Sequence, residues 1–584
     1  MMRILLISSA YNSLTQRAHV ELEDAGHTVS VELALSDAHM RSAVTLFQPD
    51  LIIAPMLTRA IPRDIWQHQV CLIVHPGIIG DRGPSALDWA IMERPDEWGV
   101  TVLQAAEEMD AGDIWASRRF PMRDGSKSSL YRREVSEAAM QCIHEAVAKF
   151  SEGGFQPRKL DYNDPDVHGQ LRPLATQRDR VLDWRDDTDT ILRRMWSGDG
   201  SPGVLDIFGD DAVYLFGARR DPHLQGEPGE LLGQRDGALC IATGDGAIWV
   251  SHARRRYPNG RGIKLPAATV LERHASRIPH LPPLDNHQGS GDGWREIYYK
   301  ERDQVGYLYF DFYNGAMSTE QCHRLRRAFT DARSRPTKVI VLCGGGDFWS
   351  NGIHLNEIEA ARLPGEEAWA NIQAINDLVL EIMTTTTHLI ISRMATNAGA
   401  GGVTLALAAD QVFGRQGVVL NPHYCSMGGL YGSEYWTYLW PRRVGSDIAQ
   451  SLWSNCLPLS TARAATMGLI DHCGANDHQQ FKQEVHDRAR DLANDPALPK
   501  LLKEKQHGLL RDHEQKPLSS YRREELQRMW QNFFGTDRSF HQARHQFVYK
   551  RKPTETPLRL ALHRQHDDRE MAADLPPMEV SSGA

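Results

Sequence analysis

No C-x-x-C pair occurs among the eight cysteines of this 584-residue chain, at positions 71, 142, 240, 322, 343, 425, 456 and 473, so neither a zinc site nor a disulfide framework is indicated. Such scattered thiols fit a reducing compartment, and cytoplasmic residence is the expectation. No apolar stretch reaches the ~18 residues that span a bilayer. The longest, Gly399 to Val412, is interrupted by Thr404 and Asp410. The opening MMRILLISSAYNS carries one Arg and an apolar run too short for the core of a secretory leader, and reads as a first strand. Basic charge is not in excess either. The net charge is −9 and the pI near 6.3, with both signs interspersed, which argues against a nucleic-acid binder. No internal repeat is evident.

What is present is a long chain of globular texture, 41% hydrophobic and 24% charged. At roughly 150 residues per domain it should hold several cores. Strand-like runs Arg3–Ser9, Thr28–Ala34, Leu51–Pro55 and Val70–Val74 alternate with helical patterns at Ala18–Ala25 and Asp37–Phe47. This alternation predicts a parallel sheet, whose ligands bind at the strands' carboxyl ends. From about Ser151 to Pro283 short segments such as Val213–Phe216, Leu239–Thr243 and Ala247–Ser251 indicate a small β-rich domain. The Pro- and Gly-rich stretch 281–293 reads as a linker, after which Val305–Phe312, Thr319–Arg333 and Lys338–Cys343 restart an α/β pattern. The expected domains are 1–155, 156–280 and 294–584, the last ending in charged helices and a frayed tail from Ala573.

Two groups of residues carry chemistry. The first is His75-Pro-Gly-Ile-Ile-Gly-Asp-Arg-Gly-Pro-Ser85 with Glu108-Met-Asp-Ala-Gly-Asp113. A His at a strand end, polarised by a carboxylate from a later loop, suits proton transfer at a carbonyl centre. The competing reading makes His75 a turn residue and Asp110 an ordinary β-turn starter. The second group is Cys343-Gly-Gly-Gly-Asp-Phe-Trp-Ser-Asn-Gly-Ile-His-Leu355 with Ala398-Gly-Ala-Gly-Gly402. Two Gly-containing turns after buried strands can aim backbone N–H groups at one point, as an oxyanion hole does, or can simply be turns.

At the first group the chain resembles the formyltetrahydrofolate-dependent formyltransferases, whose pattern is Asn-x-His, an Arg-Gly-Ala-Ala-Pro-type loop and Leu-Asp-Thr-Gly-Asp. The resemblance implies catalytic His75 and Asp110, with Arg82 and Gly83 at the folate. The family Asn, which holds the formyl oxygen, is replaced by Ile73. Leu182-Asp183-Trp184, Ser201-Pro202-Gly203 and Ala242-Thr-Gly-Asp-Gly246 resemble the second domain of the same family. At the second group the chain resembles the crotonase, or enoyl-CoA hydratase/isomerase, superfamily. Trp349–Leu355 matches Phe-Ser-Ala-Gly-Ala-Asp-Leu and Thr396–Thr404 matches Gly-x-x-x-Gly-Gly-Gly-x-Glu, which implies oxyanion amides at Asn351 and Gly401. Both hydratase glutamates are absent, Thr404 and His423 standing in their places, so enoyl-CoA hydration is not expected. Tyr424 and Glu434 are the replacements; the alternative for Glu434 is a solvated residue in a helix's first turn. Phe547-Val-Tyr-Lys-Arg-Lys-Pro553 resembles the crotonase segment that approaches the CoA phosphates, which implies Lys550 and Arg551 as CoA contacts or, alternatively, a solvated charge run.

The order formyltransferase, small β-rich OB-like domain, crotonase is similar to that of the HypX (HoxX) family of hydrogenase maturation proteins, as are Ala10–Arg17 and Met427–Trp436. The resemblance implies transfer of the formyl group of N10-formyltetrahydrofolate to coenzyme A and decarbonylation of formyl-CoA to CO, the ligand of the [NiFe] hydrogenase active site. No metal is expected. The implied partners are these small molecules and the maturation proteins that receive CO, with no nucleic acid and no membrane. Two alternatives remain at this stage: hydrolysis of formyl-CoA to formate, and a non-catalytic folate- or CoA-binding maturation partner.

Overall fold

The computed structural model describes residues 1–258, 260–282 and 293–565. Most of the expected linker (283–292) and the tail beyond Ala573 lie outside the described residues.

The first sheet comprises β1 (Arg3–Ser8), β2 (Thr28–Leu33), β3 (Leu51–Ala54), β4 (Cys71–His75), β5 (Glu97–Gln104) and β6 (Ile114–Pro121), in the order β2-β1-β3-β4-β5-β6. The first four strands are parallel, and β5 and β6 join antiparallel. Strands buried on both faces need continuous apolar runs. Accordingly Ile4 and Leu6 enter one core, and Leu5 and Ile7 the opposite one. The order reverses between β1 and β3, so a crevice opens at their carboxyl ends. Helix Ser13–Asp24 starts there, its first turn capped by Asn12, which accepts from Thr15 N at 2.9 Å.

The second sheet is antiparallel: β7 (Val204–Phe208), β8 (Asp211–Asp221), β9 (Leu231–Arg235), β10 (Ala238–Ala242), β11 (Ala247–Arg256) and β12 (Arg261–Pro266), ordered β7-β8-β11-β10-β9 with β12 on β11. Its core is closed by Ile191, Leu192 and Met195 of helix Thr188–Gly198. The chain between the first two sheets lies back on the first, where Arg158 bridges Ile114 and Leu171 bridges Arg82.

The third unit holds β13 (Ile297–Arg302), β14 (Val305–Phe310), β15 (Val339–Gly344), β16 (Leu389–Met394), β17 (Ala398–Gly399), β18 (Gln411–Arg415), β19 (Val419–Asn421), β20 (Leu459–Ser460) and β21 (His472–Gly474). The main sheet runs β13-β14-β15-β16-β18-β21, parallel from β14 onward, and β17, β19 and β20 form a small second sheet. Ile340 and Leu342 face one core, Val339 and Val341 the other. The architecture is the mixed α/β arrangement expected from the sequence.

After the last long helices the chain returns to the first sheet. Leu560 O accepts from Val31 N at 2.9 Å, and Leu560 joins the first core. Glu32, fully buried, accepts from Thr556 Oγ1 (2.9 Å) and Arg564 Nη2 (2.9 Å) and lies 3.0 Å from His563 Nε2. Glu32→Ala removes the shared acceptor of this clasp. The expected loss is about 3–5 kcal/mol, because buried polar partners are left facing a gap. Calorimetry should show it as a lower melting temperature for the variant.

Candidate functional site

His75 is the last residue of β4 and only 4% exposed. Its Nδ1 lies 3.6 Å from Asp110 Oδ2, on the β5–β6 turn, where Asp110 adopts φ +56°. Asp110 Oδ2 also accepts from Gly83 N at 3.2 Å, which ties the 80–83 loop to the pair. Two expected catalytic residues separated by 35 positions thus meet, and His75 is no exposed turn residue. Its other nitrogen, Nε2, lies 3.5 Å from Asp81 Oδ1, a neighbour that sequence reasoning passed over. Burial raises the Asp81 carboxyl above its ordinary value, with Asp110 adding to the rise and His75 and Arg172 opposing it.

The Arg82 guanidinium is paired with Glu108 and sits 5.6 Å over the Tyr162 ring. Gly83 (φ +116°) has a steric reason for being glycine: a Cβ would lie 2.2 Å from Arg172 O. Both residues border the His75 site.

At the second group, Gly401 opens helix Gly401–Leu407 just after β17. A Cβ on it would lie 2.3 Å from Glu434 Oε1, so the glycine lets the carboxylate stand against this backbone. Glu434 is 1% exposed, which excludes the solvated alternative. Its Oε2 accepts from Tyr424 OH (2.9 Å) and Ser433 N (3.0 Å). Tyr424 OH is also 2.9 Å from Thr404 Oγ1, which accepts from Trp440 Nε1 at 3.2 Å. The hydroxyl standing at the first hydratase-glutamate position therefore orients Tyr424. Burial raises Glu434 to about 7, opposed by its bonds to Tyr424 and Ser433 N.

Two residues that no sequence signal marked hold the backbone that carries this carboxylate. Glu434 and Tyr435 both have positive φ (61° and 62°), a costly conformation for non-glycine residues. Asn376 Oδ1 accepts from Glu434 N (2.7 Å) and Ser433 Oγ (2.8 Å). Glu525 accepts from Tyr435 N and Thr437 N, both at 2.9 Å. Burial raises Glu525 to about 8, against the pull of these bonds.

The structure corrects one assignment. The Asn351 amide, expected in the oxyanion pocket, donates to Gly315 O at 2.7 Å and is spent there. Its side chain is also engaged, Nδ2 donating to Asn314 O at 2.7 Å. Two residues on, the Ile353 amide donates to no protein acceptor among the described residues. It follows Gly352, whose Cβ, if present, would lie 3.1 Å from Gly401 N. Ile353 and Gly401 therefore each offer an unspent amide, one from each turn.

All three units grip these turns. Gln16 accepts from Asn421 Nδ2 at 3.0 Å, and Asn421 O accepts from Ala400 N. Arg132 lies 4.3 Å over Phe348 and 3.3 Å from Asp347. Tyr313 donates to Asp199 Oδ1 at 2.7 Å, beside the carbonyls that hold Asn351. Arg551, with His545 and Lys552, lines a pocket of about 620 Å³, and Lys550 Nζ stands 4.1 Å over the Phe547 ring. Among the described residues no group of three or more His, Cys, Asp or Glu side chains could hold a metal, and no helix is long and apolar enough to cross a membrane.

Gly401→Ala tests how closely Glu434 abuts the amide. Displacing the carboxylate by ~30° off its rotamer costs of order 0.5–1.5 kcal/mol. The variant should lose about that much stability, measured by calorimetry as a lower melting temperature.

Comparison with known proteins gives three family matches: formyl transferase over residues 2–147, the formyl transferase C-terminal domain over 175–259, and enoyl-CoA hydratase/isomerase over 311–556. The hydrogenase maturation factor HoxX of Bradyrhizobium diazoefficiens is 47% identical over 564 residues, covering 96% of this chain and 97% of that protein. The crystal structure of HypX from Aquifex aeolicus in complex with tetrahydrofolic acid matches with a TM-score of 0.92 at 44% identity, covering 96% of this chain and 99% of that one. A methionyl-tRNA formyltransferase of Roseiflexus castenholzii is 28% identical over 178 residues, 30% of this chain and 55% of that protein.

Proposed function

The chain belongs to the HypX (HoxX) family of hydrogenase maturation factors, and from that premise we propose that it moves the formyl group of N10-formyltetrahydrofolate to coenzyme A at His75 and releases it as CO at Glu434. The observation that carries the reading is the second site: a buried carboxylate, bonded to a tyrosine, set against an unspent backbone amide. The tetrahydrofolic acid bound by the Aquifex protein supports a folate donor. The enoyl-CoA hydratase/isomerase match supports a CoA thioester.

In the first step His75, polarised by Asp110, takes the thiol proton as sulfur attacks the formyl carbon and returns it to N10 as the C–N10 bond breaks. A thiol needs little activation near neutral pH, so one imidazole suffices. Arg82 and Gly83 border the folate. In the second step the Ile353 and Gly401 amides polarise the formyl oxygen. Glu434 takes the formyl proton, the C–S bond breaks with its electron pair going to sulfur, CO leaves, and the proton passes to the thiolate. Formyl-CoA is thereby divided into CO and CoA with atoms and charge balanced. Lys550 and Arg551 meet the CoA phosphates, which the basic pocket at Arg551 supports. CO then passes to the hydrogenase maturation machinery.

The deciding experiment incubates the full chain with formyl-labelled N10-formyltetrahydrofolate and CoA and measures labelled CO and labelled formate separately. Labelled CO in proportion to tetrahydrofolate is the expected result. Formate alone would replace the second step by hydrolysis, and no consumption of the donor would leave only a binding role.

A further inference from the structure

Acyl transfer develops negative charge on the carbonyl oxygen, and a donor must meet it there. Residues 71, 73 and 75 of β4 share one face, and there Cys71 and half-buried Ile73 pack into the apolar cluster. The Thr101 hydroxyl is spent on Gly77 O. The amides of Asp81, Arg82 and Gly83 are spent on Ile78 O, Gln170 O and Asp110.

Asp81 is different. Its side chain is 3% exposed, yet neither Oδ1 nor the facing His75 Nε2, 3.5 Å away, has a hydrogen-bond partner among the described residues. Two buried polar atoms are thus left aimed at one another's surroundings, in the site where the reaction needs a donor. The juxtaposition is built from glycines. A Cβ at Gly77 would lie 2.5 Å from His75 Nε2 and 3.0 Å from Asp81 Cβ. A Cβ at Gly169 would lie 1.8 Å from Asp81 N, and one at Gly80 2.5 Å from Val167. The segment 162–172 therefore lies directly on the Asp81 loop, fastened by Tyr162 OH to Gly80 O at 3.0 Å, and shuts the carboxyl away from water.

We propose that Asp81 is a catalytic residue of formyl transfer, its protonated carboxyl donating a hydrogen bond to the formyl oxygen while His75 handles the proton in transit. The assignment rests on the formyl-transfer reading above. The S–C bond forms and the C–N10 bond breaks; the thiol proton travels by His75 to N10, and the Asp81 O–H is neither gained nor lost. A carboxylic acid kept neutral by an enclosed site is a strong donor of this kind. The charged and titratable groups facing Asp81 are His75 on β4, Asp110 on the β5–β6 turn, and Arg172 and Tyr162 on the covering segment; His75 and Arg172 favour ionisation and Asp110 opposes it.

The test follows tetrahydrofolate release by the full chain, with CoA present, near neutral pH. Asp81→Ala should slow release about 100-fold. Asp81→Asn keeps a hydrogen-bond donor in the same place, so it should stay within about threefold of wild type. Adding Ile73→Asn to Asp81→Ala puts an amide on the same strand face and should recover about tenfold. Tetrahydrofolate binding by calorimetry should be unchanged in all three. Asp81→Ala at the wild-type rate overturns the proposal, and so does Asp81→Asn as slow as Asp81→Ala, which indicates a base or a purely structural carboxylate. A wild-type chain that consumes no donor defeats the formyl-transfer reading itself, whatever the variants do.

Discussion

Glu434→Gln should lower CO release by about 100- to 10,000-fold, the usual range for a lost general base, while tetrahydrofolate is still formed and formyl-CoA accumulates. Glutamine keeps the size and the acceptor toward Tyr424 and Ser433 N but has no basic oxygen. The pH dependence follows from the raised value of about 7. The active form is the carboxylate, so CO release rises as pH increases through that value and levels off above it; in the glutamine variant this limb is absent. Tyr424→Phe should act in the same direction more weakly. Removing the hydroxyl takes away a bond that lowers Glu434, which shifts the rise in rate to higher pH and costs about tenfold or less near neutrality. Haem-protein trapping of CO and chromatography of CoA esters measure both quantities. Unchanged CO output from Glu434→Gln would move the base to His423. That residue is poorly suited, since burial lowers it and its Nδ1 is 2.7 Å from Asn421 O.

The second large effect belongs to the other site. His75→Ala and Asp110→Asn should each reduce formyl transfer by about 100- to 10,000-fold, with CoA affinity unchanged because the residues proposed for CoA lie near Arg551, in another unit. Equal loss of CoA binding, measured by calorimetry, would show that the nucleotide also occupies the His75 site. Supplied formyl-CoA should still be turned into CO by both variants. That result would separate the two half-reactions within one chain.

Much of this was legible before any coordinates, and the failures have a physical pattern. Side-chain chemistry at the end of a strand can be read from a string of letters: His75 follows an apolar run, and a run of apolar residues between helical patterns is a strand. Glu434 and Tyr424 could be named only through the resemblance to crotonases, as replacements for the two hydratase glutamates that this chain lacks. The oxyanion amides were harder. Every residue has an N–H, so the donor's identity depends on which amide the local register leaves unspent, and Asn351 differs from Ile353 only in that respect. Asn376 and Glu525 act on Glu434 across separations of 58 and, through Tyr435, 90 positions, which no local pattern encodes. Asp81 was visible as a letter, but its burial depends on the covering segment 162–172.

The clasp between β2 and residues 556–564 has a consequence for how the protein is made. The hydrogen bonds of the clasp join positions 523 to 533 residues apart. At about 5–20 residues per second of synthesis, the partner of β2 leaves the ribosome roughly half a minute to two minutes after the strand itself. During that interval β2 is an open sheet edge with an unpaired acid inside it. An exposed edge of this kind is a template for pairing with another nascent chain, and Glu32 at its centre disfavours such pairing until its own basic partners arrive. The nascent first unit thus waits uncapped until residues 556–564 are made, and a transcript cut short before codon 556 yields a chain that encodes the residues of both candidate sites with its first sheet left unsealed.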